Sequence, residues 1–316
     1  MTKRTARRGV FLTEVASNEP LCRDHYVLRL PVAGFPPTSP GQFVQIQCRR
    51  PVEPESFRVV DWSEERPPQL GQPELTGSQP LLRRPFSLAG RRRNGQTDEL
   101  EIIYRAIGRG TSWMAQVKPG EQLSILGPLG NGFAVSERKS TAVLVGGGVG
   151  VPPLLYQAEA LTAAGKRTFA FIGAGTSDLL PVATVAEVPG EPEPTGCVKR
   201  LADLGVLSVI ATDDASLGFG GFVSDAFAQW LDRSDPSADD VVVYSCGPEA
   251  MMRTVGDLCI SRGIECRLAM ERHMACGMGT CQSCIVKIRD DSPKGWSYKL
   301  CCTDGPVFDA SDIIWD

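Results

Sequence analysis

Three cysteines stand close together near the end of the chain, in a pattern typical of metal and sulfur chemistry. In the stretch ERHMACGMGTCQSCIVKI, Cys276, Cys281 and Cys284 follow the spacing C-x4-C-x2-C, and further cysteines come later in YKLCCTDGPVF. Structural zinc usually takes two separated C-x2-C pairs, whereas a plant-type two-iron cluster uses the spacing found here. Gly277 and Gly279 suit a loop that wraps such a cluster. The pattern predicts a [2Fe-2S] cluster, with a zinc site or unligated core cysteines as alternatives.

The spacing leaves the fourth ligand open between Cys301 and Cys302. Neighbouring residues of an extended segment point in opposite directions, so only one of the two thiols is expected to face the cluster. His273 also lies near the loop, but a Rieske centre needs two histidines and the only other one is His25. We therefore expect a structural role for His273.

Two stretches upstream contain groups that could contact a nucleotide. LLRRPFSLAG places Arg84, Pro85 and Ser87 on a predicted strand, although taken alone the stretch favours an ordinary barrel strand with one exposed arginine. IIYRAIGRGTSWMAQV places a glycine pair before Thr111, which we expect to be the N-cap of a helix through SWMAQV. Free N–H groups at a helix start attract phosphate.

A third glycine-rich stretch, LVGGGVGVPPL, follows an apolar strand and precedes a helix opened by prolines. It departs from the strict dinucleotide fingerprint, because with Gly146 and Gly148 as the first two glycines the third position falls on Val151. Its place between strand and helix still favours the close approach of a pyrophosphate.

Composition restricts the class of protein. The chain has 316 residues, of which 42% are hydrophobic and 22% charged, with a formal net charge of −4. These values are typical of a globular protein with more than one domain and do not indicate a nucleic-acid partner. We find neither an apolar run long enough for a membrane helix nor the apolar centre of a secretory signal, so we expect a cytoplasmic protein. In reducing surroundings eleven cysteines favour metal ligation or free thiols over disulfides.

The pattern of apolar residues divides the chain into three parts. Short alternating runs such as HYVLRLPV and GQFVQIQC predict an antiparallel β-barrel over residues 1–137, interrupted by a surface insertion at 49–81 that is rich in Pro, Glu and Gln. Apolar strands alternate with helices over 138–266, which predicts an α/β domain with a parallel sheet. We expect residues 267–316 to form a small iron–sulfur domain around the cysteines.

Several motifs, taken in order, resemble a known superfamily. RRPFS, YRAIGRGT, GPLGNGF, LVGGGVGVPPL and CGPEAMM are similar to the ferredoxin reductase superfamily, in which a barrel holds flavin and an α/β domain receives nicotinamide. ATDDASLGFGGFVSDAF, the cysteine loop and CTDGPVFDA narrow the resemblance to the electron transfer subunits of dihydroorotate dehydrogenase. It covers nearly the whole chain apart from about the first eight residues and the insertion.

This resemblance implies cofactors and the residues that bind them. It makes Cys302 the fourth cluster ligand after Cys276, Cys281 and Cys284, and Cys246 a packing residue beside the nicotinamide. Phe86 departs from the family, which has a smaller aliphatic residue there. The FAD residues are Arg84, Pro85, Phe86, Ser87, Ile103, Tyr104, Arg105, Gly110 and Thr111, and the NAD residues are Gly146, Gly147, Gly148, Gly150, Cys246, Gly247 and Pro248.

The resemblance also implies a partner and a reaction in pyrimidine biosynthesis. A separate catalytic subunit bearing FMN would oxidise dihydroorotate, and electrons would pass singly through the cluster to FAD and then to NAD. No residue of this chain is expected to act on the substrate as acid or base. We expect Met274 and Met278, beside the cluster, to contribute to the interface of the hetero-oligomer.

The choice of nicotinamide cofactor follows from charge. NADP would need an Arg or Lys beside the end of the second strand of the α/β domain. The residues TSDLLPVATVAE contain neither and include Asp178, which predicts NAD.

Two alternative functions stay open: a flavin subunit of a soluble hydrogenase or ferredoxin-linked NADP reductase, and a zinc-stabilised scaffold without redox activity.

Overall fold

The computed structural model describes residues 8–51, 82–94, 97–185 and 187–315. The insertion expected at 49–81 lies almost wholly outside these residues. None of the helices described in this way is long and apolar enough to cross a membrane.

The first part of the chain forms two four-stranded antiparallel sheets. Apolar residues alternate along the strands, so that Leu28, Leu30 and Ile102 meet in a core between the sheets. This confirms the predicted antiparallel flavin-domain fold, with the hydrogen bonds grouping its strands as β1-β8-β4-β5 and β2-β3-β7-β6. The strands are β1 (Gly9–Glu14), β2 (Ser17–Cys22), β3 (His25–Ala33), β4 (Phe43–Ile46), β5 (Arg84–Ser87), β6 (Gly90–Asn94), β7 (Thr97–Arg105) and β8 (Gln122–Leu129).

A short helix, α1 (Arg109–Met114), follows β7. It begins two residues before Thr111, so the expectation that Thr111 is the N-cap is wrong, and Gly108 occupies that position. The Thr111 hydroxyl instead lies at the third helical position and accepts hydrogen bonds from the backbone N–H groups of Ile107 and Gly108 at 3.1 and 3.0 Å. A threonine in the first turn of a helix can thus accept hydrogen bonds from backbone N–H groups at the helix start, as a side chain at the N-cap does.

The α/β part contains the predicted parallel sheet, in the order β12-β11-β10-β9-β13-β14. From β9 to β12 each new strand is added on one side of the sheet, and β13 and β14 are added on the other side of β9. Ligands of such sheets bind at the carboxyl ends of the strands where the order reverses, here between β9 and β13. The elements are β9 (Thr141–Gly147), α2 (Val151–Ala163), β10 (Arg167–Ala174), α3 (Lys199–Ala202), β11 (Leu207–Thr212), β12 (Phe219–Gly220), α4 (Val223–Ser234), β13 (Val241–Cys246), α5 (Glu249–Ser261) and β14 (Glu265–Ala269).

The C-terminal part is joined to this sheet. After the cysteine loop come a hairpin of β15 (Ile285–Arg289) and β16 (Trp296–Leu300), and then β17 (Val307–Asp309), which pairs antiparallel with β14. The domain boundary placed between 266 and 267 falls inside β14. The iron–sulfur part therefore begins as a continuation of the α/β sheet and ends as its edge strand.

Polar side chains join the three parts to one another. Asn131, just after β8, donates to the carbonyl oxygens of Asp304 and Val307 and accepts from the Val307 N–H, each at 2.9 Å. Arg200 in α3 pairs with Glu101 of β7. Although burial opposes it, Arg200 lowers the pKa of Glu101, so this carboxylate stays charged. These contacts hold the barrel in a defined position against the other two parts.

Candidate cofactor and cluster site

A cavity of about 1450 Å³ lies where the sheet order reverses, and all three parts of the chain line it. The barrel contributes β5, the end of β7 and the start of α1. The α/β part contributes the turns after β9 and β13, and the cysteine loop contributes residues 271–275 and Ser283. The cavity is lined by these residues that the sequence suggested: Arg84, Pro85, Phe86, Ser87, Ile103, Tyr104, Arg105, Gly110, Thr111, Gly147, Gly148, Gly150, Cys246, Gly247 and Pro248.

Gly146 differs from the other residues assigned to nicotinamide, because it does not line the cavity. A Cβ atom on Gly146 would lie 2.7 Å from Cδ1 of Leu154, so this glycine lets α2 pack closely against β9. A Cβ on Gly150 would lie 2.2 Å from the carbonyl oxygen of Cys246. Gly150 therefore permits the close approach of the two turns that form this wall of the cavity.

The barrel wall combines a charged rim with an aromatic base. Arg84 is half-buried, and its guanidinium donates to the carbonyl oxygen of Leu82 at 3.0 Å. Phe86 is buried and meets the ring of Tyr104 edge-on, with 5.9 Å between ring centroids. The Tyr104 hydroxyl donates to Asn18 at 3.0 Å. The larger Phe86 therefore packs against the aromatic ring beneath the cavity, while the arginine remains available for an anionic ligand.

His25 also lines this wall, although no motif in the sequence assigns it to the flavin. It pairs across the sheet with Arg105 and is 1% exposed. Its Nδ1 donates to the carbonyl oxygen of Arg23 at 2.7 Å, and its Nε2 is buried without a partner among the described residues. Burial lowers the pKa of His25, so the ring is neutral and Nε2 is an acceptor.

The α/β wall contains an acidic residue in a different place from the one expected. Asp178 pairs with Arg23 at 3.0 Å and does not line the cavity. Asp213, directly after β11, does line it. Of these two carboxylates, the one at the cavity follows the third strand of the domain, where the sequence has ATDD, so the expectation that placed it after the second strand is wrong.

Burial decides the state of Cys246 at the end of β13. It raises the pKa of the Cys246 thiol to about 12, so this cysteine is a neutral group in the cavity wall. Met251, Phe222 and Arg272 also line the cavity and are not among the residues predicted from the sequence. Phe222 and Met251 stand soon after the ends of strands, and Arg272 stands at the start of the cysteine loop. These positions are the signal in the sequence that could have identified them.

The cysteine loop directs backbone N–H groups at its own sulfur atoms. The N–H groups of Met278 and Cys281 each lie 3.4 Å from Sγ of Cys276. Gly277 and Gly279 have φ values of +71° and +91°, which favour glycine and turn the N–H groups inward. Hydrogen bonds from Ser283 lower the pKa of Cys281 to about 6. Thiolates surrounded by N–H donors are the ligands that an iron–sulfur cluster needs, so the loop fits such a group.

The two adjacent cysteines after β16 have different neighbours. The Cys301 thiol donates to the carbonyl oxygen of Met270 at 3.2 Å and is fully buried. The backbone N–H of Cys302 donates to Sγ of Cys284 at 3.4 Å. Burial and the neighbouring Cys284 raise the pKa of the Cys302 thiol. Both cysteines belong to the buried core, and they differ in that the Cys301 thiol bonds to Met270 whereas the Cys302 thiol lies beside Cys284.

In the described ranges, no group of three or more His, Cys, Asp or Glu side chains surrounds the position of a single ion. A two-iron cluster does not require such a group, because it divides four thiolates between two irons.

The side chains next to the loop differ in exposure. His273 is exposed and lines the cavity, so it does not have the structural role expected of it. Met274 is half-buried and packs against the apolar core that contains Cys284, and its contribution to an interface stays a prediction. Met278 is 51% exposed. Of the two methionines, only Met278 presents a large apolar side chain to the outside.

The fold is similar to that of ferredoxin reductase-like proteins. One chain of the NADH-dependent reduced ferredoxin-NADP oxidoreductase, studied for flavin-based electron bifurcation, superposes with a TM-score of 0.69 over 98% of this chain and 91% of its own, at 23% identity. A ferredoxin NADP+ reductase from Neisseria gonorrhoeae, with bound FAD and NADP, superposes with a TM-score of 0.58 over 84% and 95%, at 15% identity.

Sequence comparison defines the family within this fold. Residues 271–314 match the model of the iron-sulfur cluster binding domain of dihydroorotate dehydrogenase B. The electron transfer subunit of dihydroorotate dehydrogenase B (NAD(+)) from Bacillus cereus strain G9842 is 36% identical over 75% of this chain and 82% of its own. The subunit from Bacillus mycoides strain KBAB4 is 37% identical over the same shares. The chain belongs to the family of dihydroorotate dehydrogenase B electron transfer subunits.

Proposed function

We propose that this chain carries electrons from a catalytic dihydroorotate dehydrogenase subunit, through a [2Fe-2S] cluster and FAD, to NAD in pyrimidine biosynthesis. The observation that carries the proposal is the single cavity lined by the barrel, the end of the parallel sheet and the cysteine loop. A flavin-like wall, a nicotinamide-like wall and a cluster loop share one space there. The names of the relatives in Bacillus support the same reaction.

The barrel wall would hold FAD. Arg84 offers a permanent charge to a phosphate, and Ser87 offers a hydroxyl to the edge of the ring. The start of α1, with Gly110 and Thr111, lies at the same cavity and offers backbone N–H groups. When bound, FAD would exchange electrons in pairs with nicotinamide and singly with the cluster.

The turns after β9 and β13 would hold the nicotinamide nucleotide. Gly147, Gly148 and Gly150 leave the backbone of the first turn open to the cavity, which suits a pyrophosphate. Cys246, Gly247 and Pro248 face the cavity from the second turn. Asp213 places a carboxylate at the cavity directly after β11. There it would repel the 2′-phosphate of NADP and so favour NAD.

The cluster would be held by Cys276, Cys281, Cys284 and Cys302. The first three share the N–H-rich loop, and the position of Cys302 beside Cys284 supports its choice over Cys301. The thiolate-forming tendency of Cys281, caused by Ser283, favours metal binding at that residue.

The catalytic work on dihydroorotate would belong to a second, FMN-bearing subunit in a hetero-oligomer. The side chains that line the cavity serve to bind and orient nucleotides, and we assign none of them as acid or base on orotate. Cys281 and Met278 are exposed on the cluster loop, which supports contact with that subunit there. A cytoplasmic location stays a prediction from the sequence.

Purification of the chain with and without its catalytic partner tests this function. The isolated chain should show flavin and iron–sulfur absorption and should oxidise NADH with an artificial acceptor. It should not reduce NAD with dihydroorotate until the catalytic subunit is added. Dihydroorotate-dependent NAD reduction by the single chain would contradict the division of labour, and a colourless protein that binds zinc would support the scaffold alternative.

A further inference from the structure

Gln45 is a buried amide that lacks hydrogen-bond partners. It lies in β4, its residue is 1% exposed, and neither Nε2 nor Oε1 has a partner among the residues that the structure describes. Burial of an amide without partners is unfavourable. Something outside the polypeptide is therefore expected to complete the hydrogen bonding of this side chain.

The alternation of β4 shows which way the amide faces. Val44 and Ile46 belong to the core of the barrel. Phe43 belongs instead to the apolar core that contains Cys284 of the cluster loop. Gln45 lies two residues after Phe43 and therefore shares its face of the strand. The amide is directed out of the barrel, toward the C-terminal part of the chain.

The amide reaches the cluster loop itself. A Cβ atom built on Gly277 would lie 2.3 Å from Nε2 of Gln45 and 2.6 Å from its Cδ, so the side chain packs against the glycine backbone. Gly277 is buried and directly follows Cys276. Gln45 therefore touches the residue next to a proposed cluster ligand, and the absence of a side chain on Gly277 makes that contact possible.

The surroundings indicate which ligand would satisfy the amide. The N–H groups of Met278 and Cys281 already point at Sγ of Cys276. Sulfur atoms of a cluster and its thiolates carry negative charge and accept N–H hydrogen bonds. Since no side chain in the described ranges holds the Gln45 amide, its NH₂ group is free to turn toward them.

We propose that Gln45 donates an N–H hydrogen bond from its side chain to a sulfur of the iron–sulfur centre and thereby raises the reduction potential of that centre. The inference rests on the proposed function, because it requires the cluster. Reduction adds negative charge to the sulfurs, so an N–H donor stabilises the reduced form more than the oxidised form. Gln45 also pairs across the strands with Pro85 of the flavin wall, which places this donor between the two proposed redox groups.

Replacement of the amide by an apolar side chain of similar length tests the proposal. Gln45→Met in the full chain should bind iron and sulfide as the wild type does, but its cluster should have a more negative midpoint potential. We expect about a tenfold change in the ratio of reduced to oxidised cluster at a fixed potential, which is about 59 mV for one electron. Gln45→His keeps a ring N–H donor and should restore part of the shift.

Gln47→Met is the matched control, because it makes the same substitution two residues further on. Gln47 is half-buried, and its carbonyl oxygen already accepts from Arg83 at 3.5 Å. This variant should keep the wild-type potential. An unchanged potential in Gln45→Met with full iron content overturns the proposal.

A spectroscopic measurement on the wild type covers the case in which Gln45→Met assembles no cluster. Pulsed electron paramagnetic resonance of the reduced protein, with ¹⁵N in the glutamine side-chain amides, should detect a coupling between one such nitrogen and the cluster. The same coupling should persist in Gln47→Met. Its absence from the wild type overturns the role of Gln45, whereas a wild-type protein without any cluster signal would contradict the proposed function itself.

Discussion

Sγ of Cys301 lies 3.2 Å from the carbonyl oxygen of Met270, to which the thiol donates a hydrogen bond. Its neighbour Cys302 takes part in a different contact, because its backbone N–H lies 3.4 Å from Sγ of Cys284. Both residues are buried in the same apolar core, but the Cys301 thiol bonds to Met270 whereas the Cys302 thiol lies beside Cys284. A hydrogen bond to a carbonyl oxygen keeps the first thiol protonated, which disfavours metal ligation.

This difference predicts opposite outcomes for two serine substitutions. Cys302→Ser should lose most of its iron and sulfide, because a cluster loses a thiolate ligand. Cys301→Ser should retain both, since a hydroxyl can donate to Met270 as the thiol does. Iron and sulfide analysis with visible absorption checks this. Loss of the cluster only in the Cys301 variant would show that the assignment is reversed.

Arg84→Ala should weaken the retention of FAD. A charge-assisted hydrogen bond to phosphate contributes about 1.5–3 kcal/mol, so the Kd for FAD should rise roughly 10- to 150-fold. Equilibrium dialysis followed by flavin absorbance measures the change. Arg93→Ala is the control, because this exposed arginine of β6 does not line the cavity. Equal FAD affinity in the two variants would count against a phosphate contact at Arg84.

Asp213→Asn should shift the preference between nicotinamide cofactors. Removal of this carboxylate from the cavity wall reduces repulsion of a 2′-phosphate, so the ratio of kcat/KM for NADP to that for NAD should rise about tenfold, or about 1.4 kcal/mol. Asp178→Asn should leave the ratio unchanged, because Asp178 pairs with Arg23 and does not line the cavity. A wild-type protein that uses NADP as well as NAD would contradict the predicted preference.

His25 should make the protein more sensitive to acid. Burial lowers its pKa in the folded state, so between that pKa and the ordinary value near 6.5 only the unfolded chain binds the proton. The contribution of neutral His25 to the free energy of unfolding is therefore complete above about pH 6.5. It is lost as the pH falls below that value, by up to about 1.4 kcal/mol per pH unit. His25→Gln should lose less stability than wild type when urea unfolding is compared at about pH 7 and about pH 5.

The corresponding substitution of the exposed histidine provides the control. His273→Gln removes the exposed imidazole and leaves the buried one in place, so it separates the burial of His25 from the mere loss of an imidazole. If His25→Gln and wild type lost equal stability over the same range, burial of a neutral His25 would be wrong.

Met278→Asp should weaken association with the catalytic subunit. The side chain of Met278 is 51% exposed on the cluster loop, and burial of an unpaired charge at an interface is unfavourable. We expect the Kd measured by calorimetry to rise at least about tenfold, or about 1.4 kcal/mol, with flavin and iron content unchanged. Ile260→Asp, at the far end of α5 and 49% exposed, should bind the partner normally. Equal weakening by both variants would argue against a specific interface at the loop.

The sequence by itself determined the types of element and the ligand chemistry of the cysteine loop. Alternating runs predicted the antiparallel strands, and apolar strands with intervening helices predicted the parallel sheet, because these patterns depend on which side of each element is buried. The spacing of Cys276, Cys281 and Cys284 is likewise local, and so is the glycine content of their loop. Motifs of this kind were enough to predict the family.

Only the tertiary structure decided between residues that are equivalent by local pattern. The hydrogen bond of Cys301 to Met270 and that of Cys302 to Cys284 distinguish the two cysteines. The packing of α2 against Gly146 distinguishes this glycine from Gly147, which lines the cavity. The burial of Gln45 was equally hidden, since an alternating strand places a polar residue toward solvent unless another segment covers it. Each of these outcomes depends on a contact with a residue distant in the chain, and such contacts exist only after the three parts have packed together.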